Sequence, residues 1–335
     1  RTLVLTIDPA RRLAQAMGIG ELGNTPEPVD LSSAPWDIPK GGELWAMMLD
    51  MQRTFDEVVD RHATSPERAR AIKRNRIYHT LSSTLAGTQE YMAMEKLHAL
   101  DDEGDWDLLV VDTPPTRNAL DFLDAPRRMT DFLEGRLLKL LLRPGFAAGK
   151  GITRVVGFGT QTFMRVASRV TGMELLEDLA DFFRNFEGMY EGFKERAEEV
   201  RSRLGEPSSR FVVVASPQPP PLREARFFLE RLEQEGLHTA GLVVNRVHPD
   251  CAGCPPPSEL REAAGRSVGG AEERAVAAAL ELLAEGADVG TRERRDVAAA
   301  LYGVSLDTLV EVPLLPTDVH DLPTLASVAE VMTGT

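Results

Sequence analysis

Residues 107–122 read DLLVVDTPPTRNALDF, and the rest of the chain is best understood outward from them. Leu108 to Val111 predict a buried strand, Asp112 tips it, Thr113-Pro114-Pro115-Thr116 turns the chain, and an amphipathic helix is expected from Asn118 onward. An apolar strand ending in Asp, followed at once by a turn and a helix, is how α/β nucleotide-binding folds set a carboxylate at the carboxyl edge of a parallel sheet. There it can hold a magnesium-bound water, while the loop behind it senses a terminal phosphate. The same pattern also fits any strand–helix junction whose Asp caps the helix.

The layout recurs at the start of the chain. Thr2–Ile7 (TLVLTI) predicts a second buried parallel strand, followed by Asp8-Pro9-Ala10 and a helical segment over 11–17. If the two strands are neighbours, Asp8 and Asp112 come close together; otherwise Asp8 is a helix cap with Pro9 at the first helical position. Three more apolar runs predict strands: Phe211–Ala215, Thr239–Val244 leading into Asn245-Arg246-Val247, and Leu309–Val312 leading into Pro313-Leu314-Leu315. Alternation of these strands with helices, including 221–235 and 322–332, predicts a doubly wound, mainly parallel sheet.

Between the strands lie a Gly/Pro/Ser-rich stretch, 18–42, expected as a long surface loop, and two helical blocks, 43–100 and 126–205. In the first block Leu44, Met47, Met48, Met51, Phe55, Val58 and Val59 recur at spacings of three and four, predicting one apolar helical stripe. Nine of the eleven methionines fall in these blocks, a composition suited either to core gap-filling or to a groove for varied apolar partners. Towards the C-terminus, Cys251–Pro257 is expected as a linker, with separate helices over 271–285 and 292–301.

A chain of 335 residues with 43% hydrophobic and 27% charged residues can bury a full core. Its net charge of −14 argues against a nucleic-acid groove. No apolar run reaches the ~18 residues that a membrane span needs, and the chain opens directly on a strand rather than a secretory signal, so the cytoplasm is the expected compartment. Two cysteines spaced Cys-x-x-Cys do not make a disulfide framework. They supply half of a tetrahedral zinc site, which a two-fold dimer would complete, or they are idle thiols.

Strand-Asp-Pro-Ala, strand-Asp-Thr-Pro-Pro-Thr, strand-Val-Asn-Arg and strand-Pro-Leu-Leu, in this order, resemble the family of dimeric P-loop ATPases of the deviant Walker A type. That family includes the arsenite-pump ATPase ArsA and the Get-pathway factors that target tail-anchored membrane proteins. The resemblance covers nearly the whole chain and is nearest to an actinobacterial branch of anion-transporting ATPases. It implies an α/β nucleotide-binding core over 1–42, 101–125 and 206–335, with an inserted α-helical subdomain from 43–100 and 126–205. It also implies ATP and Mg²⁺ as cofactors, a dimer partner, and an apolar or membrane-protein client on the helical blocks. The implied site is carried by Asp8, which would orient the attacking water, and Asp112, which would hold the Mg²⁺ shell, with Pro9, Thr113, Pro115 and Thr116 in the two switches. Asn245 and Arg246 would meet the adenine, beside the Pro313–Leu314 loop. Cys251 and Cys254 match an inter-subunit zinc pair of the targeting factors.

There are departures. The first switch has Arg11 where the family has His, the second has Arg117-Asn118 in place of Gly-His, and 318–321 reads DVHD in place of a Glu-Val-Arg-Gly-like segment. The family's Gly-rich phosphate loop, with its signature Lys, is not found in residues 1–335. The stretch 145–151, GFAAGKG, is one residue short of the motif, ends in Gly where Ser or Thr should bind Mg²⁺, and does not follow a strand. The chain begins at Arg1, directly on strand-like residues, so about 25–35 residues of strand, loop and helix are expected upstream, and residues 1–335 alone are expected to hydrolyse ATP poorly. Two rival readings stand beside this one. A non-catalytic scaffold subunit would lack the loop altogether, and an arsenite or anion efflux motor would need cysteines beyond the single pair.

Overall fold

The computed structural model describes residues 1–7, 12–20, 22–36, 40–76, 78–79, 88–113, 178, 181–182, 184–186, 189–249, 253–267 and 269–334. It divides into two compact units, Arg1–Leu31 with Ile38–Arg203, and Ser32–Asp37 with Leu204–Thr335.

In the first unit the strands are β1 (Thr2–Thr6), β2 (Glu27–Pro28), β3 (Leu44–Met48) and β4 (Leu108–Asp112). Their order is β2-β3-β1-β4, with β1 parallel to both neighbours and β2 antiparallel to β3. The helices are α1 (Arg12–Ala16), α2 (Met51–His62), α3 (Pro66–Arg74), α4 (Thr88–Glu103) and α5 (Tyr190–Leu204). α3 starts at Pro66 behind Ser65, whose hydroxyl accepts from the Arg68 amide at 3.3 Å.

Two expectations are corrected here. Leu44–Met48 is a strand rather than the first turns of a helix. Over five residues the Leu44/Met47/Met48 spacing is ambiguous, and parallel pairing with β1 overrides it. The helix starts only at Met51, where the Asp50 carboxylate accepts from the Arg53 amide at 2.9 Å. The stretch 18–42, expected as a surface loop, holds β2 and the buried Leu22, Asn24 and Val29. The Asn24 carbonyl oxygen accepts from the Asp50 amide and the Thr54 hydroxyl, both at 3.0 Å, while its amide donates to Glu57 at 3.1 Å. One buried side chain thus moors this segment to the start of α2.

Helices α4 and α5, about a hundred residues apart in sequence, join along a charged seam. Arg196 Nε lies 3.0 Å from both oxygens of Glu95, a carboxylate that also accepts from the Tyr91 hydroxyl. One turn on, His98 lies 2.9 Å from Asp102 and 3.0 Å from Glu199. Burial alone would lower the His98 pKa, but its hydrogen bond to Glu199 and the charges of Asp102 and Glu199 raise it above its ordinary value. Burial, reinforced by the Arg196 charge, drives His62 down to about 4, and Arg196 lies 3.3 Å from its Nδ1. Met47, Met92, Met94 and Met189 are buried core residues. These four therefore fill the interior rather than line an apolar groove.

The second unit carries β5 (Phe211–Ala215), β6 (Thr239–Val247) and β7 (Leu309–Pro313), all parallel in the order β5-β6-β7. Helix α6 (Pro219–Gln234) buries Leu222, Ala225, Leu229 and Leu232, a single face at helical spacing. α7 (Pro257–Arg266), which begins at the last residue of the expected Cys251–Pro257 linker, packs against α8 (Ala271–Ala300). α8 is one helix and not the expected two; it runs unbroken through Gly286 and Gly290. α9 (Leu322–Thr333) opens with an Asp321–Thr324 capping box, whose hydrogen bonds lower the Asp321 pKa.

The described strands form two sheets rather than the single one expected. Nor are β4 and β5 buried on both faces: Leu108, Val110, Val212 and Val214 are exposed by 55%, 41%, 56% and 63%. Each strand also has one edge unpaired among the described residues. Among those residues, no helix is long and apolar enough to cross a membrane.

Candidate functional site

The organising stretch lies where parallel pairing puts it. β1 and β4 run side by side in the register Thr2↔Leu108 through Thr6↔Asp112, so both strands end at one carboxyl edge. The Ile7 amide donates to the Asp112 carbonyl at 3.0 Å, extending the ladder one residue beyond the strands. The buried Thr6 hydroxyl donates to Asp112 Oδ2 at 2.9 Å. Asp112 Oδ1 takes no hydrogen bond among the described residues, and both Asp112 and Thr113 are exposed. An exposed carboxylate steadied through one oxygen fits the task of holding a water of a hydrated Mg²⁺ through the other. Asp8, Pro9, Pro115 and Thr116 lie outside the described residues.

Asn245, Arg246, Pro313 and Leu314 meet at the carboxyl edge of the second sheet. Asn245 pairs with Val312 and Val247 with Pro313, so Arg246 is an extra residue that bulges out of the ladder. The Leu314 amide closes the edge on the Val247 carbonyl at 2.8 Å. Asn245 and Arg246 are exposed, and neither side chain makes a hydrogen bond among the described residues. An Asn amide carries both donors and an acceptor in one plane, which suits the edge of a nucleobase; the guanidinium beside it offers a planar cation. The sequence places Asn245 and Arg246 after the fourth strand, whereas here they are its last turn of ladder.

Cys254 is disulfide-bonded, a state in which its sulfur cannot donate a thiolate to zinc; Cys251 lies outside the described residues. No group of three or more His, Cys, Asp or Glu placed to hold a metal occurs among the described residues. His248 faces Glu293, with Nδ1 at 3.0 Å. In the departing segment 318–321, His320 turns back onto the Asp318 carbonyl at 2.8 Å and Asp321 caps α9.

Sequence reasoning missed Thr6, Glu293 and Arg294. Thr6 could have been found from the inferred neighbouring strands, because a hydroxyl two residues before Asp8 falls level with Asp112. Nothing local marks Glu293, a carboxylate in a helix rich in charges.

Residues 1–263 match the family model described as Anion-transporting ATPase.

Proposed function

Because the chain belongs to the anion-transporting ATPase family, a family whose general chemistry is ATP hydrolysis, we propose that it contributes the following parts to that reaction. Asp8 accepts a hydrogen bond from the water that attacks the γ-phosphate in line and sets its direction. Asp112, oriented by Thr6, holds the water shell of Mg²⁺. Mg²⁺ held there would supply positive charge to offset that of the phosphate oxygens. Asn245 and Arg246 receive the adenine beside Pro313 and Leu314, while Pro9, Thr113, Pro115 and Thr116 follow the state of the terminal phosphate.

The observation that carries this reading is the parallel β1–β4 register with the Thr6 hydroxyl on Asp112. It steadies one carboxylate at the sheet edge to which the Asp8 segment is tethered by a single residue, Ile7. The phosphates need donors that residues 1–335 do not supply in the family's pattern. The unpaired edge of β4, with exposed Leu108 and Val110, supports a further parallel strand carrying that loop. We further propose that the protein acts in the cytoplasm as a dimer whose helical part takes an apolar client. A zinc ion shared through Cys251 and Cys254 requires that pair reduced. An arsenite-driven motor is disfavoured by a chain whose two cysteines leave no free thiol.

The test uses the full native gene product. Asp8→Asn should abolish ATP hydrolysis while leaving ATP affinity within about threefold, the pattern of an interaction made only in the transition state. Hydrolysis that survives the substitution overturns the assignment of Asp8. A wild-type protein that binds ATP without hydrolysing it supports the scaffold alternative.

A further inference from the structure

Arg246 is the one non-glycine residue with a positive φ, 68°, among the described residues. For an L-residue with a long side chain, the left-handed conformation is disfavoured roughly fivefold to thirtyfold in population. Such a conformation persists only where its surroundings over-determine it.

They do so here. Two residues on, the His248 amide donates to Glu293 Oε2 at 2.8 Å, and His248 Nδ1 lies 3.0 and 3.1 Å from the two Glu293 oxygens. The next residue of α8, Arg294, donates to the His248 carbonyl at 3.1 Å and pairs with Glu311 of β7 at 3.5 Å. One turn earlier, Gly290 lets the helix approach so closely that a Cβ there would sit 3.0 Å from that same carbonyl oxygen. Glu293 is 8% exposed, one of the few buried charged residues among those described. A buried carboxylate that receives a backbone amide and an imidazole from one residue fixes that residue's backbone as well as its side chain.

We propose that Glu293, with Arg294 and Gly290, forms a positioning clamp that holds Arg246 in its left-handed bulge. The clamp thereby presents Asn245 and Arg246 as a preformed reader of the purine base, and so sets base preference. The inference rests on the nucleotide-binding reading above and deepens it. A helix that is silent in the family's motifs becomes the part that keeps an exposed amide and guanidinium from relaxing into the ordinary ladder.

The experiment measures two quantities on the full native protein. One is hydrogen exchange over 244–249; the other is the ratio of ATP to GTP affinity, read by competition against a fluorescent ATP analogue. Glu293→Ala should speed exchange over 244–249 at least about tenfold and cut the ATP-to-GTP preference at least about fivefold. Glu293→Gln keeps an acceptor for the His248 amide and should restore most of the preference. If Glu293→Ala does not fold, Gly290→Ala serves, since its methyl must push the His248 carbonyl by a few tenths of an ångström; it should lower the preference by about twofold to threefold. Faster exchange with the base preference intact overturns the proposal, leaving Glu293 a purely structural residue. Wild-type protein that binds neither nucleotide overturns the nucleotide reading itself, and the clamp's role falls with it.

Discussion

The carboxyl ends of β4 and β6 are built in opposite ways. Asp112, at the end of β4, is an exposed carboxylate steadied by one side-chain hydrogen bond, from Thr6. Arg246, near the end of β6, sits in a strained bulge; Glu293 and Arg294 hold His248, two residues on, and the Leu314 amide donates to the Val247 carbonyl between them. A group that works through water needs latitude and free lone pairs, and one hydrogen bond is enough to aim it. A group that recognises a flat base gains from being fixed beforehand, because ordering it on binding would cost affinity. The proposed function assigns the chemistry to the loosely held end and recognition to the pinned end.

That contrast can be broken from the side of the fold or from the side of the site. The largest effect on stability is expected at Gly241, under the start of the β6 ladder. A Cβ there would lie 2.5 Å from the Thr308 carbonyl oxygen, which is backbone and cannot swing away. Gly241→Ala should destabilise the β5–β7 unit by about 2–3 kcal/mol, the usual cost of forced overpacking. Chemical denaturation with exchange mass spectrometry should localise the loss to that unit; a loss spread equally over both units would contradict the independence assumed in comparing the two ends.

A smaller effect is expected at the loosely held end. Thr6→Val removes the hydroxyl on Asp112 at nearly constant volume and should cost about 1 kcal/mol, a low figure for a charged acceptor because Asp112 is exposed. Hydrolysis should fall by up to about tenfold, with nucleotide affinity nearly unchanged. A wild-type rate in Thr6→Val would mean that Asp112 needs no orientation.

The smallest effect lies away from both ends and serves as their control. His62 is held near 4, below its ordinary 6.5, by burial and by Arg196. Between those values the unfolded chain binds a proton that the folded one refuses, so stability is full above about pH 6.5 and falls as the pH drops towards 4. His62→Gln should flatten that part of the profile without altering base preference or the hydrolytic rate at pH 7.5. An unchanged acid slope would contradict the buried neutral imidazole.

Much of the strand framework was legible because its signals are local. Runs such as Phe211–Ala215 and Leu108–Asp112 are apolar, short and punctuated by Pro or Gly, and the acid at the end of each early strand stands in the chain for anyone to read. What escaped was set by partners remote in sequence. Leu44–Met48 carries a spacing that suits a helix, and only pairing with β1 makes it a strand. The sequence suggests two helices over 271–285 and 292–301, yet α8 runs through both, and Gly290 within it lies against the His248 carbonyl. The Thr6–Asp112 bond spans 106 positions and the Glu293–His248 contact 45, distances over which periodicity carries no information. The candidate site was therefore readable as a set of residues at strand ends, and unreadable in how firmly each is held.

The most direct test of the central claim is the Mg²⁺ dependence of ATP hydrolysis by the full native protein, measured for wild type and Asp112→Asn side by side. The account predicts hydrolysis that requires Mg²⁺ in the wild type. In Asp112→Asn it predicts a rate at least about a hundredfold lower, partly recovered by raising Mg²⁺, because the neutral amide holds the hydrated ion less tightly. A variant that hydrolyses ATP at the wild-type rate and with the wild-type Mg²⁺ dependence would contradict the account and remove Asp112 from the reaction.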